Sequence, residues 1–116
     1  MKIIPNRHED DRRVLVEWNK DIPMARCKTI YAKGKCTLGK HYHLKNDSIF
    51  FIVKGRALCV LQDLKGRILK RQWLFEGDTI FVPTEVVHTL TLLPETIMNE
   101  TASLPYDSQD EIPFTQ

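Results

Sequence analysis

The chain has 116 residues, with 17 basic and 15 acidic side chains and a formal net charge of +2. This length suits one domain, so we expect a single domain over 1–116, with its core at about 13–103. The charge is too small and too mixed to indicate nucleic acid or a membrane surface as a partner. The polar start of the chain and the lack of about 18 consecutive apolar residues predict a cytoplasmic protein.

Charged and proline-containing stretches at 1–12 and 104–116 are expected to be loosely built. The segments between them are rich in β-branched and aromatic residues and are separated by turn signals, which predicts strands. In chain order they are VLVEW (14–18), IFFIV (49–53), ALCVLQ (57–62), ILKRQWLF (68–75), TIFV (79–82) and HTLTLL (88–93). The chain is therefore predicted to be all-β, as a sandwich, a jelly roll or a small barrel, and closure is favoured because it removes exposed sheet edges.

The three cysteines, Cys27, Cys36 and Cys59, are odd in number and include no CxxC pair. A disulfide framework and a thiolate zinc site are therefore not indicated. We expect three buried, reduced thiols.

Histidines at alternate positions give the strongest functional signal. His41 and His43 lie two residues apart, so in a strand both rings project from the same face. His88 begins the face that continues with Leu90 and Leu92, and this face is predicted to point inward together with Ile49, Phe51, Val53, Leu58 and Val60. If the two strands are close, three imidazoles meet in a mostly apolar cavity, a donor set that suits Fe, Mn, Ni, Cu or Zn.

Each histidine could instead be a hydrogen-bonded core residue, which is the more common role of a lone histidine. The HxH spacing and the third histidine about 45 residues later favour a shared site. The fourth histidine, His8, lies in a charged segment and is expected to be solvated.

These residues resemble the motifs of the cupin superfamily. Gly34, His41, His43 and Gly55 correspond to G(X)5HXH(X)3-4E(X)6G, with one extra residue after Gly34. Gly77, Pro83 and His88 correspond to G(X)5PXG(X)2H(X)3N. The resemblance covers roughly 25–103 and implies a jelly-roll barrel of two antiparallel sheets. It also implies that His41, His43 and His88 are metal ligands.

The chain departs from both motifs. The glutamate position falls at Ser48 or, with the shorter spacing, at Asp47, while the second glycine is Glu85 and the asparagine is Leu92. Asp47 could complete the ligand set only if the strand carries a bulge, since a carboxylate one residue out of phase points to the opposite face.

The order of elements is also similar to small cupin enzymes of nucleotide-sugar pathways, namely the sugar 3,4-ketoisomerases and the dTDP-4-dehydrorhamnose 3,5-epimerase type. The similarity lies in the HxHxK segment with Lys45, the late histidine, and the tail LPYDSQDEI at 104–112. It implies a nucleotide-linked keto sugar as substrate and histidine-mediated proton transfer without a required metal. His43 is the first candidate for the base, with His41 and His88 polarising the carbonyl or holding the sugar.

Three functions therefore follow from the sequence. The first is a sugar isomerase or epimerase, in which Lys40 and Lys45 would meet a diphosphate or be merely solvated. The second is a metal-dependent oxygenase (Fe, Mn, Ni or Zn) that uses the three histidines. The third is a non-catalytic cupin that binds a small ligand. The large aromatic residues Trp18, Trp73 and Phe75 further predict a homodimer.

Overall fold

The computed structural model describes residues 2–3, 5–19 and 22–115. This part of the chain contains strands and one 3₁₀ turn, but no α-helix. The strands are β1 Lys2–Ile3, β2 Asn6–Glu9, β3 Val14–Glu17, β4 Arg26–Tyr31, β5 Cys36–Tyr42, β6 Ser48–Lys54, β7 Arg56–Gln62, β8 Ile68–Phe75, β9 Thr79–Val82, β10 Val87–Leu92, β11 Ile97–Ala102 and β12 Ile112–Pro113, with the 3₁₀ turn at Ser108–Asp110.

Two five-stranded antiparallel sheets form the body of the molecule. One, the β6 sheet, has the order β1-β9-β6-β11-β4, and the other, the β10 sheet, has the order β12-β5-β10-β7-β8. Strands that follow one another in the chain often belong to different sheets, as in a jelly roll. The prediction of an all-β fold with two antiparallel sheets is confirmed. The described strands pair as two separate sheets, with β2 and β3 in a hairpin of their own.

The core lies between the two sheets. It consists of Ala32, Phe50, Ile52, Ala57, Cys59, Leu61, Leu74, Ile80, Val82, Val86, Leu90, Leu92 and Met98. The prediction that Leu90 and Leu92 point inward is confirmed, because both are buried in this cluster.

The predicted inward face is wrong for β6 and β7. In β6 the residues of the central cluster are Phe50 and Ile52. Ile49 and Phe51 are also buried, but they lie on the opposite face of the strand, where Phe51 stacks on Trp18, and Val53 is exposed. In β7 the core takes the odd-numbered residues 57, 59 and 61, so Leu58 and Val60 lie on the other face. Both strands carry large apolar side chains on both faces, and alternation alone therefore does not show which face is inward.

The ends of the chain carry elements of their own. β2 pairs with β3 near the N-terminus, and β12 adds to the edge of the β10 sheet next to β5. The described residues include no helix long and apolar enough to cross a membrane. Among the cysteines only Cys59 is buried, and Cys27 is exposed, so the expectation of three buried thiols is wrong.

Candidate active site

A β-bulge brings the HxH motif onto the inner face of the sheet. β5 pairs with β10 so that His41 lies opposite His88 and Gly39 lies opposite Thr89, which leaves Lys40 as an extra residue. Gly39 and Lys40 have positive φ angles of 91° and 56°. The extra residue changes the phase of the strand, so that His41 follows Leu38 on the inner face. A bulge is also how a strand accommodates one additional residue, as in the Gly34 to His41 spacing.

Gly39 is required by the close approach of β5 to β10. A Cβ atom at this position would lie 2.4 Å from the carbonyl oxygen of His88, well inside van der Waals contact. The φ of 91° is also a conformation that residues with a side chain rarely adopt. Glycine therefore permits both the bulge and the approach of the two histidine-bearing strands.

The three histidines lie in one cluster. Ring centroids are separated by 4.6 Å for His41 and His88, 5.1 Å for His41 and His43, and 5.5 Å for His43 and His88. One ring nitrogen of each lies within 4.8 Å of the others. His88 is buried and the other two are half-buried, whereas His8 is exposed on the N-terminal hairpin. The structure thus brings together the three histidines selected from the sequence and leaves the fourth outside.

The Nδ1 atoms of all three rings face acceptor groups of the protein. His43 Nδ1 lies 2.7 Å from the carbonyl oxygen of Asp110. A carbonyl can only accept, so Nδ1 of His43 carries a proton, and in the neutral imidazole it is Nε2 that holds the free lone pair. His88 Nδ1 makes a longer contact, 3.4 Å, with a backbone carbonyl, and His41 Nδ1 lies 3.6 Å from Glu111 Oε1.

Burial keeps two of these imidazoles neutral. Burial, together with the neighbouring His41, lowers the pKa of His88 to about 3. Burial also lowers the pKa of His41, although the Glu111 carboxylate acts in the opposite direction. At neutral pH both rings are uncharged, which allows three imidazoles to share one small space.

The cluster forms one side of a pocket of about 260 Å³. Its lining combines apolar side chains (Ile30, Leu38, Phe50, Leu90), basic side chains (Arg26, Lys28, Lys45) and residues of the C-terminal tail (Leu104, Pro105, Tyr106, Asp107, Asp110, Glu111), besides the histidines, Gly39, Asn46 and Glu100. The expected apolar cavity is therefore mixed in character. Of the two lysines considered from the sequence, Lys45 lines the pocket and Lys40 is not among its lining residues.

A cationic side chain with unused hydrogen-bonding capacity lies in this lining. The guanidinium of Arg26 lies 5.3 Å from the centre of the Tyr106 ring, and its Nε is buried without a hydrogen-bond partner. Lys28, on the same strand, is within 3.4 Å of Glu100. Buried donors that lack a partner in the protein are expected to be satisfied by water or by a ligand.

The carboxylates near the histidines are not the one expected from the motif. Asp47 lies outside the cluster, and its side chain accepts a hydrogen bond from the Thr84 backbone N–H. Asp110 and Glu111, which the sequence analysis did not select, contact His43 and His41 instead. The acidic stretch in the tail was the only sequence signal for them, and it does not indicate which residue they contact.

The donor set fits a divalent metal. Two of the imidazoles are neutral, and His43 and His88 each direct Nδ1–H to a backbone carbonyl, an arrangement that orients metal-binding histidines. His41, His43 and His88 would be the ligands. Among the described residues no carboxylate belongs to this group, so a bound cation would not be neutralised by a charged ligand.

Solved structures with the same architecture include 3,4-ketoisomerases and dTDP-4-dehydrorhamnose 3,5-epimerases. A 3,4-ketoisomerase from Helicobacter canadensis has a TM-score of 0.85 and 18% identity, covering 97% of this chain and 88% of its own. A double mutant of a 3,4-ketoisomerase from Thermoanaerobacterium thermosaccharolyticum, in complex with TDP, has a TM-score of 0.83 and 23% identity (97% and 85% covered). A dTDP-4-dehydrorhamnose 3,5-epimerase from Bacillus anthracis with TDP and PPi bound has a TM-score of 0.79 and 16% identity (92% and 73% covered).

These structural similarities confirm the cupin jelly-roll fold inferred from the two histidine motifs. No curated protein matches the sequence. The model of one sequence family, the polysaccharide biosynthesis C-terminal domain, matches residues 8–103, which is most of the chain and includes all three histidines of the cluster. The protein therefore belongs to the polysaccharide biosynthesis C-terminal domain family.

Proposed function

We propose that this protein is an isomerase or epimerase that transfers a proton next to the keto group of a nucleotide-linked sugar. The observation that carries the proposal is the 2.7 Å contact between His43 Nδ1 and the Asp110 carbonyl oxygen, because it leaves Nε2 of a pocket-lining imidazole as a proton acceptor. Membership of a polysaccharide-biosynthesis family and the architecture shared with nucleotide-sugar enzymes support a sugar substrate.

In the proposed reaction His43 Nε2 removes the proton from the carbon next to the carbonyl. The C–H bond breaks, its electron pair moves toward the carbonyl, and an enolate with negative charge on oxygen forms. For isomerisation, His43 returns the proton to the former carbonyl carbon, and the hydroxyl proton of the neighbouring carbon passes to the enolate oxygen, so that the C=O group moves by one carbon. For epimerisation, a second proton donor or water protonates the opposite face of the same carbon, and His43 releases the abstracted proton to solvent. His41, whose tautomer is not set by its 3.6 Å separation from Glu111, can direct an N–H to the carbonyl oxygen, while buried His88 supports both rings.

The rest of the pocket suits the nucleotide part of such a substrate. Its volume of about 260 Å³ is close to the lower end of small-molecule sites, about 300–1,000 Å³, so it would hold the sugar with the nucleotide extending outward. Arg26, Lys28 and Lys45 supply positive charge for a diphosphate. The ring of Tyr106, which is 62% exposed, offers a surface for stacking of a base. Two structural neighbours contain TDP, in agreement with this arrangement.

Deuterium uptake tests the proposal. A nucleotide-linked 4-keto sugar incubated with the protein in deuterated water should gain deuterium at the carbon next to the carbonyl, measured by mass spectrometry and NMR. His43→Asn should abolish uptake, while His8→Asn, on the exposed hairpin, should leave it unchanged. A chelator should not reduce the rate, because the base is an imidazole. Uptake that persists at full rate in His43→Asn would refute His43 as the base.

The second candidate is a metal-dependent oxygenase, which is favoured by the approach of three imidazole nitrogens to within 4.8 Å of one another. A metal held by His41, His43 and His88 would supply Lewis acidity and a site for oxygen. This alternative predicts no deuterium uptake, strict dependence on added Fe or Mn, and oxygen consumption with the organic substrate. Binding of a nucleotide sugar without any turnover would instead favour a non-catalytic ligand-binding role.

A further inference from the structure

The β6 sheet places a glutamate in the pocket, across from the β10 sheet that carries the histidines. Met98 and Glu100 are alternate residues of β11, so their side chains lie on the same face of the sheet. Met98 belongs to the core between the sheets, and Glu100 lines the pocket. The inner face of β11 therefore changes from apolar to acidic at the point where the core meets the pocket.

Two cross-strand neighbours define the surroundings of Glu100. In the register of the β6 sheet it lies between Lys28 of β4 and Phe50 of β6. Lys28 Nζ is 3.4 Å from Glu100 Oε1, and the Phe50 ring centroid is 5.8 Å from that of His88. The carboxylate thus lies beside a ring that packs against the histidine cluster, with a cation on its other side.

The Glu100 carboxylate has more hydrogen-bonding capacity than the protein uses. Its side chain is only 15% exposed, and within the described part of the chain its one polar partner is Lys28. An ionised carboxylate has about four lone-pair sites, so most of them are left for water or a ligand. The hydroxyl groups of a sugar are donors of the kind that such a carboxylate binds.

Moving a carbonyl group by one carbon requires two proton transfers. His43 Nε2 can carry the proton between the two carbons, but the hydroxyl proton must also pass to the former carbonyl oxygen. A carboxylate suits this second transfer, because it accepts a proton as the anion and donates one as the acid. Glu100 supplies that group on the sheet that faces the imidazoles.

We propose that Glu100 is a catalytic residue that relays the hydroxyl proton between the two neighbouring oxygens of the keto sugar during isomerisation. The inference rests on the proposed function, because it requires the enolate that His43 forms. Glu100 accepts the hydroxyl proton, and the electron pair of the broken O–H bond forms the new C=O group.

The remaining transfers complete the reaction. The electron pair of the enolate C=C bond takes the proton from His43, and the former carbonyl oxygen takes the proton from Glu100. Both residues thereby return to their starting states, and the product has the same atoms as the substrate. Lys28 holds the carboxylate in the pocket wall and offsets part of its charge.

Deuterium exchange and carbonyl migration separate this role from that of His43. A nucleotide-linked 4-keto sugar with a free 3-hydroxyl group is incubated with the protein in deuterated water, and NMR follows deuterium at the neighbouring carbon and formation of the 3-keto product. The wild type should show both. Glu100→Gln should slow formation of the 3-keto product by about 100- to 10,000-fold, while deuterium exchange continues.

Two further variants complete the comparison. Glu100→Asp keeps a carboxylate and should retain more isomerisation than Glu100→Gln. Glu76→Gln is the matched control, because Glu76 is exposed and is not among the residues that line this pocket. It should leave both rates unchanged. Circular dichroism verifies that each variant is folded.

The outcomes distinguish the relay from the proposed function. Isomerisation that keeps pace with exchange in Glu100→Gln would overturn the relay, and so would a parallel loss of both rates. A wild type that exchanges deuterium without forming the 3-keto product would also overturn it, while the proposed function would stand. A wild type with neither exchange nor isomerisation would refute the proposed function and the relay together.

Discussion

The burial of His88 should make the stability of the protein depend on pH. Only 2% of its surface is exposed, and burial lowers its pKa to about 3, whereas in the unfolded chain the pKa returns to about 6.5. Between these values the unfolded state binds more protons than the folded state, so stability is fully present above about pH 6.5 and declines as pH falls. We expect a loss of about 2 kcal/mol between pH 7 and pH 5.

Urea denaturation at a series of pH values measures this effect. His88→Gln should flatten the dependence above pH 4, since the buried imidazole that resists protonation is gone. His8→Asn serves as the control and should keep the wild-type slope. A free energy of unfolding that is constant from pH 7 to pH 5 in the wild type would contradict the prediction.

Gly39 should be intolerant of even the smallest side chain. In Gly39→Ala the new methyl group would meet the His88 carbonyl oxygen at 2.4 Å in a backbone conformation with φ of 91°, so strain and a backbone clash add together. We expect a loss of stability of about 3 kcal/mol. The activity of the folded fraction should also fall, because β5 and β10 must separate.

Alanine substitutions at two other glycines separate the effect of backbone strain from that of a steric clash. Gly77 has a φ of 88° but open space where a Cβ atom would lie, so Gly77→Ala should cost only about 1 kcal/mol of backbone strain. Gly34 has open space and no positive φ, and Gly34→Ala should be nearly neutral. Thermal unfolding of the three variants should rank them in this order. Equal effects at positions 39 and 77 would argue against the steric role of Gly39.

At the scale of elements, the N-terminal hairpin of β2 and β3 leads into an aromatic contact. Trp18, which directly follows β3, stacks on Phe51 of β6 with ring centroids 5.2 Å apart and an interplanar angle of 7°. A two-stranded hairpin is marginally stable by itself, so this contact to the β6 sheet is expected to contribute to its stability. Trp18 thereby covers Phe51 on the outer face of β6.

Trp18→Ala should therefore destabilise the protein by about 2 kcal/mol, less than the roughly 3–5 kcal/mol lost at a fully buried aromatic. Trp73→Ala is the comparison, because Trp73 is 42% exposed and its described ring contact is with Arg56. It should cost about 1 kcal/mol or less. Chemical denaturation followed by circular dichroism measures both. A smaller effect at Trp18 than at Trp73 would show that the hairpin contact contributes little.

At the scale of the whole molecule, β8 forms an edge of the β10 sheet and carries a large exposed apolar surface. Ile68, Leu69, Trp73 and Phe75 are 60%, 55%, 42% and 52% exposed. Such a surface on an edge strand favours self-association, in keeping with the homodimer predicted from the sequence. Light scattering at tens of micromolar should give the mass of a dimer, and Trp73→Lys with Phe75→Lys should give a monomer. A wild-type monomer at this concentration would contradict the prediction.

The sequence by itself determined the all-β class and identified the three clustered histidines. Both features follow from local sequence patterns. Short β-branched segments indicate strands, the alternation of side chains along a strand places His41 and His43 on one side, and His88 precedes Leu90 and Leu92 on one face of its strand. The alternation of apolar and polar residues identifies the inward face of β10, because only one face of that strand is apolar. It failed for β6 and β7, where both faces are apolar and the partner on each side decides which one is inward.

Only the tertiary structure decided what surrounds the histidines. The bulge at Gly39 and Lys40 is a property of the pairing between β5 and β10, and the extra residue between Gly34 and His41 does not by itself indicate where the bulge lies. The contact between His43 and Asp110 joins residues 67 positions apart. Asp47, close to the motif in sequence, bonds elsewhere, whereas Asp110 reaches the site because β12 pairs with β5. Local periodicity determines the face on which a side chain lies, but its partners depend on which distant strands become neighbours in the fold.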